Sequence, residues 1–371
     1  MANNKTNNLG LNLIRNKWTG ICIIILCLYF LTAVFAYLLA PDNSTDANEQ
    51  ITEIALHSPG TSIKVVQIKR PEIKENPIIK FFKGTKMIKT YIPIINYTVY
   101  KDSIRLIQYK GINPFTKKKI PTQVSNYSLN IFITSNTNGK KIPVTAIKNY
   151  PFATDGYGRC ILSRIIIGSR ISMTVGILAV IISLTMGVVV GLLAGYSGGK
   201  IDDFLMLLIN TIWSIPTLLL VFAIVMAMGR GIQIIYLAVG LTLWVDVARI
   251  VRGQVLSLKE NIYIDAARSL GYGKIRIVRK HILPNILGPI LVVATGNFAT
   301  AIILEAGLSY LGFGIQPPRP SWGNMLNENY GYALSGNYLV ALIPALAIVV
   351  LVLSVNIIGN GLRDAYDVKI D

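Results

Sequence analysis

A chain of 371 residues that is 52% hydrophobic and only 15% charged, with a mean hydropathy of +0.52, is too apolar for an ordinary water-soluble globule. Its three cysteines, Cys22, Cys27 and Cys160, form no CxxC pair, and its only histidines are His57 and His281, which argues against a disulfide framework or a bound metal. The net charge of +18 would suit nucleic acid or an anionic surface if it were spread along the chain, but more than half of it sits in one segment, residues 41–168.

From the N-terminus, residues 21–40 carry no charge in twenty positions, and a helix of that length crosses about 30 Å of hydrocarbon. Hydropathy places membrane helices at 19–40, 169–195, 203–228, 232–250, 286–312 and 338–360. Arg15 and Lys17 precede the first run as they would a signal peptide, yet its length favours a retained anchor with Trp18 at the interface. Six helices put both termini on one side. The stretch 249–280 holds eight basic residues against Glu260 and Asp265, so it is expected in the cytoplasm, and with it the N-terminus carrying Lys5, Arg15 and Lys17.

The same parity puts residues 41–168 outside, although they hold nineteen Lys and Arg against eight Asp and Glu. Segments longer than about 60 residues translocate largely regardless of charge, which resolves the conflict for the exterior. Ile63 to Ile68, Tyr97 to Tyr100 and Ser128 to Ile133 are rich in β-branched and aromatic residues punctuated by Pro and Gly. The expected fold is therefore an all-α polytopic membrane protein of six transmembrane helices, with a small, mostly β extracytoplasmic insertion between helices 1 and 2. Its parts are a cytoplasmic N-terminus (1–18), helix 1 (19–40), the insertion (41–168) and a helical core (169–371). The basic charge of the insertion reads as a solvated face or as a docking surface for an acidic partner.

In the cytoplasmic loop, about 251–285, Tyr263, Ala266, Ala267 and Leu270 fall on one apolar stripe of a short helix, with Asn261 at its N-cap and Gly271 at the position that ends it. So short a helix is marginal alone in water and needs a surface to pack on. That surface could be a partner protein or the lipid headgroups. After Gly273 comes a basic stretch to His281, then Leu283 and Pro284, a proline suited to the first turn of the next membrane helix.

Elsewhere, Gly187, Gly191 and Gly195 recur every four residues, the spacing that lets a neighbouring helix pack closely in lipid. Pro216 marks a kink site. Asp246 and Arg249 are spaced for a local pair. Glu305, the other ionisable residue near membrane depth, is a candidate for the transport pathway or a gate, or for a pair inside the bundle. No catalytic residues emerge: HExxH, the Gly-x-Ser-x-Gly elbow and the Gly-rich phosphate loop are all missing, and Gly198-Gly199-Lys200-Ile201 lacks both an earlier glycine and a following Ser or Thr.

Asp265-Ala266-Ala267, Gly271 and His281-Ile282-Leu283-Pro284 resemble the EAA loop of ABC importer permeases. The runs 151–159 (PFATDGYGR), 162–164 (LSR), 191–196 (GLLAGY), 251–257 (VRGQVLS) and 316–323 (QPPRPSWG) resemble the dipeptide and oligopeptide permeases, specifically their C-type subunit. Asp265 stands where that family usually has Glu. The resemblance covers about residues 150–371 and implies the type I ABC importer permease fold in a bacterial inner membrane. It implies that Asp265, Ala266, Ala267, Gly271, Leu283 and Pro284 form the element that couples to an ATPase. The implied partners are a homologous B-type permease subunit, two ATP-binding subunits that hold ATP and Mg, an extracytoplasmic substrate-binding protein and a peptide substrate, with no nucleic acid and no cofactor in this chain. Importers of nickel, glutathione or another small solute share these motifs, and a membrane-anchored sensor or enzyme is the reading from another class.

Overall fold

The computed structural model describes residues 16–69, 76–86, 90–113, 116, 118–137 and 140–367. Lys5 and Arg15, counted above for the inside orientation, lie outside the described residues. Helix α1 (Lys17–Val34) runs almost unbroken into α2 (Ala36–Leu39), with Phe35 N donating to Leu31 O at 2.9 Å and Leu39 N to Phe35 O at 3.0 Å. After a short helix α3 (Pro77–Lys83) and the strands, the helical part comprises α4 (Ile161–Ser197), α5 (Gly199–Trp213), α6 (Thr217–Met228), α7 (Ile232–Lys259), α8 (Ile262–Ser269), α9 (Lys274–Tyr310), α10 (Trp322–Leu334) and α11 (Leu339–Asp367).

Among the described residues, α1, α4, α7, α9 and α11 are long and apolar enough to cross a membrane. The run 203–228, continuous by hydropathy, is broken: α5 and α6 meet at 90° and make a sixth span only if taken together. Pro216 causes the break, because it has no N–H to continue the ladder and holds an extended ψ of 125° at the start of α6. At 37 residues α4 is about 55 Å long, well beyond a bilayer's hydrocarbon, so its first turns carry Arg164 and Arg170.

The chain divides into two compact units. The first, Met1–Phe30 with Ser172–Gln316 and Ile348–Asp371, is helical in its described residues. Buried Asn297 of α9 donates to Ser183 Oγ of α4 at 3.3 Å and to Leu243 O of α7 at 3.2 Å, so one amide fixes three helices where an unpaired polar group would be costly.

The second unit, Leu31–Ile171 with Pro317–Ala347, holds the β-rich region. Strands β1 (Thr61–Gln67), β2 (Tyr91–Val99), β3 (Ser103–Gln108), β4 (Gln123–Ser128) and β7 (Thr145–Tyr150) form one sheet in the order β4-β3-β2-β1-β7, while β5 (Thr134–Thr137) and β6 (Lys140–Pro143) pair separately. The neighbours run antiparallel, with a register shift between Ile94 and Asn96 of β2. Adjacent side chains on β1 point to opposite faces and both are buried: Val65 packs with Ile51, Ile54, Tyr150 and Cys160, and Val66 with Ile94, Ile104, Leu106 and Phe132. The stretch 128–133, expected to be a strand, is a 3₁₀ turn over Leu129–Ile131; that turn puts Leu129 and Phe132 on one side, where both are buried.

His57 is held inside this unit. Its Nε2 lies 2.7 Å from Tyr109 Oη, and its Nδ1 lies 3.3 Å from Ala55 O. Burial pushes the imidazole below its ordinary value of 6.5, against the pull of backbone bonds from Ala55 and Ile54. The unfolded chain then takes up a proton at His57 before the folded one does, so stability is lost as the pH falls below about 6.5. We expect the drop in thermal midpoint between pH 7.5 and 5.5 to shrink in His57→Gln, read by differential scanning fluorimetry on the purified chain; an unchanged drop contradicts the assignment.

Candidate functional site

The loop helix α8 follows α7 directly. Asn261 stands at the N-cap position but does not cap: its side-chain amide turns back to Ser257 O and Leu258 O at 3.4 and 3.3 Å. At the other end Tyr272 N donates to Ala267 O at 3.1 Å and Gly271 N to Arg268 O at 2.9 Å. This is a Schellman motif, and Gly271 takes its left-handed turn at φ +76 without strain.

The exposed face of α8 differs from the stripe read in the sequence. Ile264, the larger side chain, fills the space beneath the helix, and Ala267 one turn on is buried with it. Ile262, Tyr263, Ala266 and Leu270 remain outside, with Ile262 87% and Leu270 73% exposed. Asp265 pairs with Arg268 along the helix at 2.8 Å, both in contact with solvent. Such exposed pairs contribute little to stability.

Helix α9 starts at Lys274 and runs without a stop into the apolar span, where a separate proline start had been expected. It widens to a π turn over Val278–Ile282, just ahead of Leu283 and Pro284. Pro284 cannot donate to the preceding turn and its ring crowds that carbonyl, and a wider turn accommodates both. Ile264 and Ala267 pack on Val251 and Val255 of α7 and on Ile277, Ile282 and Ile286 of α9, with Leu283 against the same cluster.

Three further contacts bind this end of the unit together. Arg252 of α7 grips Asp202 of α5 through Nε at 2.6 Å and Nη2 at 2.7 Å, a two-pronged arrangement stronger than a single bond. Lys259 Nζ donates to Tyr196 O at 3.0 Å. Along α4, a Cβ added at Gly187 would lie 2.4 Å from Val247 Cβ, at Gly191 2.6 Å from Ala248 O, and at Gly195 2.8 Å from Val255 Cβ. The backbones of α4 and α7 therefore touch where any side chain would separate them.

Asp246 and Arg249 do not pair. The Arg249 guanidinium lies 4.0 Å from the centre of the Trp213 ring and donates to Asn210 Oδ1 at 2.6 Å, drawn across to α5 by an aromatic face and an amide together. Asp246 is exposed and, with Trp213, Ser214, Pro216 and Thr242, lines an open cavity of about 300 Å³ at the α5–α6 break. Glu305 is buried and accepts from Ser309 Oγ at 2.7 Å, and that hydroxyl accepts from Ile315 N at 3.2 Å. Gly314 admits this closure, since a Cβ there would lie 1.9 Å from Ser309 Oγ.

The second unit contains a cluster to which sequence reasoning assigned no role. Asp155 Oδ1 accepts from Tyr157 N and Arg159 N, both at 2.9 Å, and its Oδ2 from Arg159 Nε at 2.6 Å. Arg159 Nη2 also reaches Glu328, as does Arg164 Nη2 at 3.1 Å, and Asn324 Nδ2 donates to the other Glu328 oxygen at 3.2 Å. Two arginines and two carboxylates, nearly all out of solvent, cancel in charge and staple the PFATDGYGR and LSR runs to α10. Trp322, fully buried beside Gly168, donates to Ile165 O at 3.1 Å and seats the QPPRPSWG run on α4. Asp155 and Arg159 at i,i+4 were the visible signal; the partner Glu328 carries no local mark.

Apolar helices of spanning length, close-packed through glycines, with a short helix between two of them that leaves an apolar face uncovered, define a helical membrane protein. Residues 187–371 match the family model described as "Binding-protein-dependent transport system inner membrane component". The dipeptide transport system permease protein DppC of Bacillus subtilis is 42% identical over 59% of this chain and 68% of its own length. The oligopeptide transport system permease protein OppC of the same organism is 40% identical over 60% and 73%, and the glutathione transport system permease protein GsiD of Pectobacterium atrosepticum 42% identical over 58% and 71%. A fainter likeness, TM-score 0.47 at 21% identity over 55% of this chain and 97% of the other, is to an inward-facing form of the MetNI methionine ABC transporter. This chain belongs to the family of binding-protein-dependent transport system inner membrane components.

Removing one member of a buried charge cluster leaves its partners uncompensated, which costs roughly 3–5 kcal/mol. Glu328→Gln should therefore lower the thermal midpoint of the purified chain sharply, whereas Asp102→Asn, an exposed position in the same unit, should leave it within experimental error. Equal midpoints for both would show that the cluster does not hold the unit together.

Proposed function

We propose that this chain is the C-type permease subunit of an ATP-driven importer of dipeptides or oligopeptides, and that the uncovered face of α8 receives an ATP-binding subunit. The observation that carries the reading is α8 itself: a two-turn helix seated by Ile264 and Ala267, with Ile262, Tyr263, Ala266 and Leu270 facing out. So short a helix gains its rigidity from that seat, and its outward apolar side gains further from a partner. In this reading six spans, with α5 and α6 together as one, put both termini in the cytoplasm and the β-rich region outside, where a substrate-binding protein delivers the peptide. A homologous B-type subunit completes the pore, and the cavity beside Asp246, Trp213 and Pro216 lies on the peptide's route. ATP and its magnesium belong to two partner subunits.

The drive follows from the packing. When the ATP-binding subunits close, α8 moves, and the close-packed cluster passes the displacement to the ends of α7 and α9 together. The glycine contacts carry α4 along with α7, and the Arg252–Asp202 clamp carries α5. The bundle thus changes between two packings rather than deforming gradually.

Placing a carboxylate on the outward face tests the docking. Leu270→Asp should cut both co-purification of the ATP-binding subunits and uptake by roughly tenfold or more, since a buried Leu contributes about 1.5–3 kcal/mol and 1.4 kcal/mol is tenfold. Insertion and yield should hold, because Leu270 is 73% exposed in this chain; undiminished co-purification and uptake would refute the coupling role. A second reading, glutathione import, draws on the likeness to GsiD. Cells with and without the gene, given labelled dipeptide, pentapeptide and glutathione, should differ in peptide uptake; a difference in glutathione alone would favour the second reading.

A further inference from the structure

Helix α3 raises a question that the transport reading leaves unanswered. Its seven residues, PIIKFFK, are well specified: Asn76 Oδ1 accepts from Ile78 N at 3.0 Å as an N-cap, Pro77 opens the first turn, and Gly84 ends it at φ +73. Yet none of the seven is buried, and Ile78, Ile79 and Phe82 stand 67, 46 and 55% exposed. A helix this short has no stability of its own in water, and an uncovered apolar face on it calls for a covering medium.

The helix is fixed in place. Thr85 N donates to Asn43 O and Thr45 N to Thr85 O, both at 2.9 Å, which ties the end of α3 to the chain leaving α2. Gly84 lies so close that a Cβ would meet the Tyr37 ring at 2.6 Å. The Phe81 ring packs edge-on against Phe35 at 6.0 Å. Arg170 Nη1 donates to Phe82 O at 2.8 Å, with its guanidinium 5.3 Å from the Phe82 ring and 5.8 Å from that of Tyr37. These contacts hold α3 against the end of the apolar span Lys17–Val34, beside Phe35, Leu38 and Leu39, which are themselves exposed.

Around the helix axis Ile78, Ile79 and Phe82 share one arc with Phe81 and Lys83 at its two edges, and Lys80 lies on the far side. Aromatic rings and cations at the end of a membrane span are the pattern of the headgroup boundary, where rings sit at the interface and lysines extend their ammonium groups to water and phosphate.

We propose that α3 is an interfacial anchor, lying in the bilayer surface at the end of the first span with Ile78, Ile79 and Phe82 among the acyl chains and Lys80 and Lys83 at the headgroups. The occupant of the uncovered face is lipid because the face continues the exposed side of a membrane helix and is bordered by cations.

The test uses the full chain in nanodiscs of phosphatidylethanolamine and phosphatidylglycerol. Cys27, the exposed cysteine among the described residues, is replaced by Ser, and a nitroxide is attached in turn at Ile78→Cys, Phe82→Cys, Lys80→Cys and the exposed control Tyr100→Cys. Power saturation by oxygen, which concentrates in lipid, is compared with saturation by a water-soluble nickel chelate. The oxygen-to-nickel ratio at Ile78 and Phe82 should exceed that at Tyr100 by about threefold or more, with Lys80 close to the control, as a helix lying at the interface requires. Ratios at Ile78 and Phe82 equal to that at Tyr100 would place the face in water, and exclusion of both reagents would place it under a protein partner; either overturns the proposal. Should a label prevent assembly, quenching of Phe82→Trp fluorescence by brominated lipid, above that of the parent chain, reads the same contact. No quenching above the parent overturns the proposal.

Discussion

The seat of Ile264 and Ala267 on the ends of α7 and α9 is the contact on which the helical unit turns. Core packing at crystal-like density leaves no slack to absorb a shift, so the loop helix cannot move without moving the helices beneath it. Each neighbour is then bound to the next by a different interaction: α7 to α4 by backbone contact at Gly187, Gly191 and Gly195, α7 to α5 by the Arg252–Asp202 fork, and α9 to α4 and α7 by the Asn297 amide. Among the described residues the one sharply bent pair of apolar helices is α5 and α6, which meet at 90° at Pro216 with an open cavity beside them. Close-packed helices rearrange between discrete packings rather than deforming gradually.

Hydropathy made the spans legible because lipid penalises every exposed polar group, leaving a strong one-dimensional trace. The same measure could not see the break in 203–228: Pro216 was visible, but a window average does not register a missing N–H. Nor could it find where α4 and α7 end, at Ile161 and Lys259, because those turns leave the hydrocarbon and carry charge. On α8 the period was right and the face right except at one residue: Tyr263, Ala266 and Leu270 stay outside, while Ala267 turns in with Ile264. Isoleucines at 262 and 264 leave the helix apolar on two sides, and which side turns inward depends on the shape of the space above Val251 and Ile286, which no local pattern encodes. Asp246 and Arg249 illustrate the same limit, since correct spacing for a pair yields to a better partner on another helix, here Trp213 and Asn210. In the β-rich unit the reading of β structure held for 63–67 and 97–99 but not for 128–133, while the salt-bridged partner of Arg159 and Arg164 lies far along the chain at Glu328 and leaves no trace in sequence spacing.

The surplus of positive charge in residues 41–168 also gains a physical account. Among their few carboxylates, Asp155 is enclosed with two arginines, Glu49 is buried against Lys148, and Asp42 accepts from Ser44 N and Glu49 N inside the fold. These three acidic groups are thus spent inward as acceptors, while Asp102 and the lysines at 64, 69, 80, 83, 86, 101, 118 and 119 are exposed. A surface of that sign is soluble in its own right and attracts anionic headgroups or an acidic partner within about a Debye length.

Charge is handled in the opposite way at the loop helix. Asp265, one methylene shorter than the Glu usual in the family, engages Arg268 on its own helix at 2.8 Å, so the tip of α8 offers neighbours a compensated pair rather than a free carboxylate. What remains outward is apolar surface on a helix closed by the left-handed turn at Gly271. In the proposed assembly, recognition at this point rests on shape and on burying Ile262 and Leu270, contacts that salt hardly screens. In the same proposal the basic residues of the adjoining start of α9, Lys274, Arg276, Arg279 and Lys280, would supply the long-range attraction that the compensated tip of α8 lacks. Orientation by charge and grip by apolar contact are thereby assigned to consecutive turns of one loop, and the glycine between them lets each present its own face.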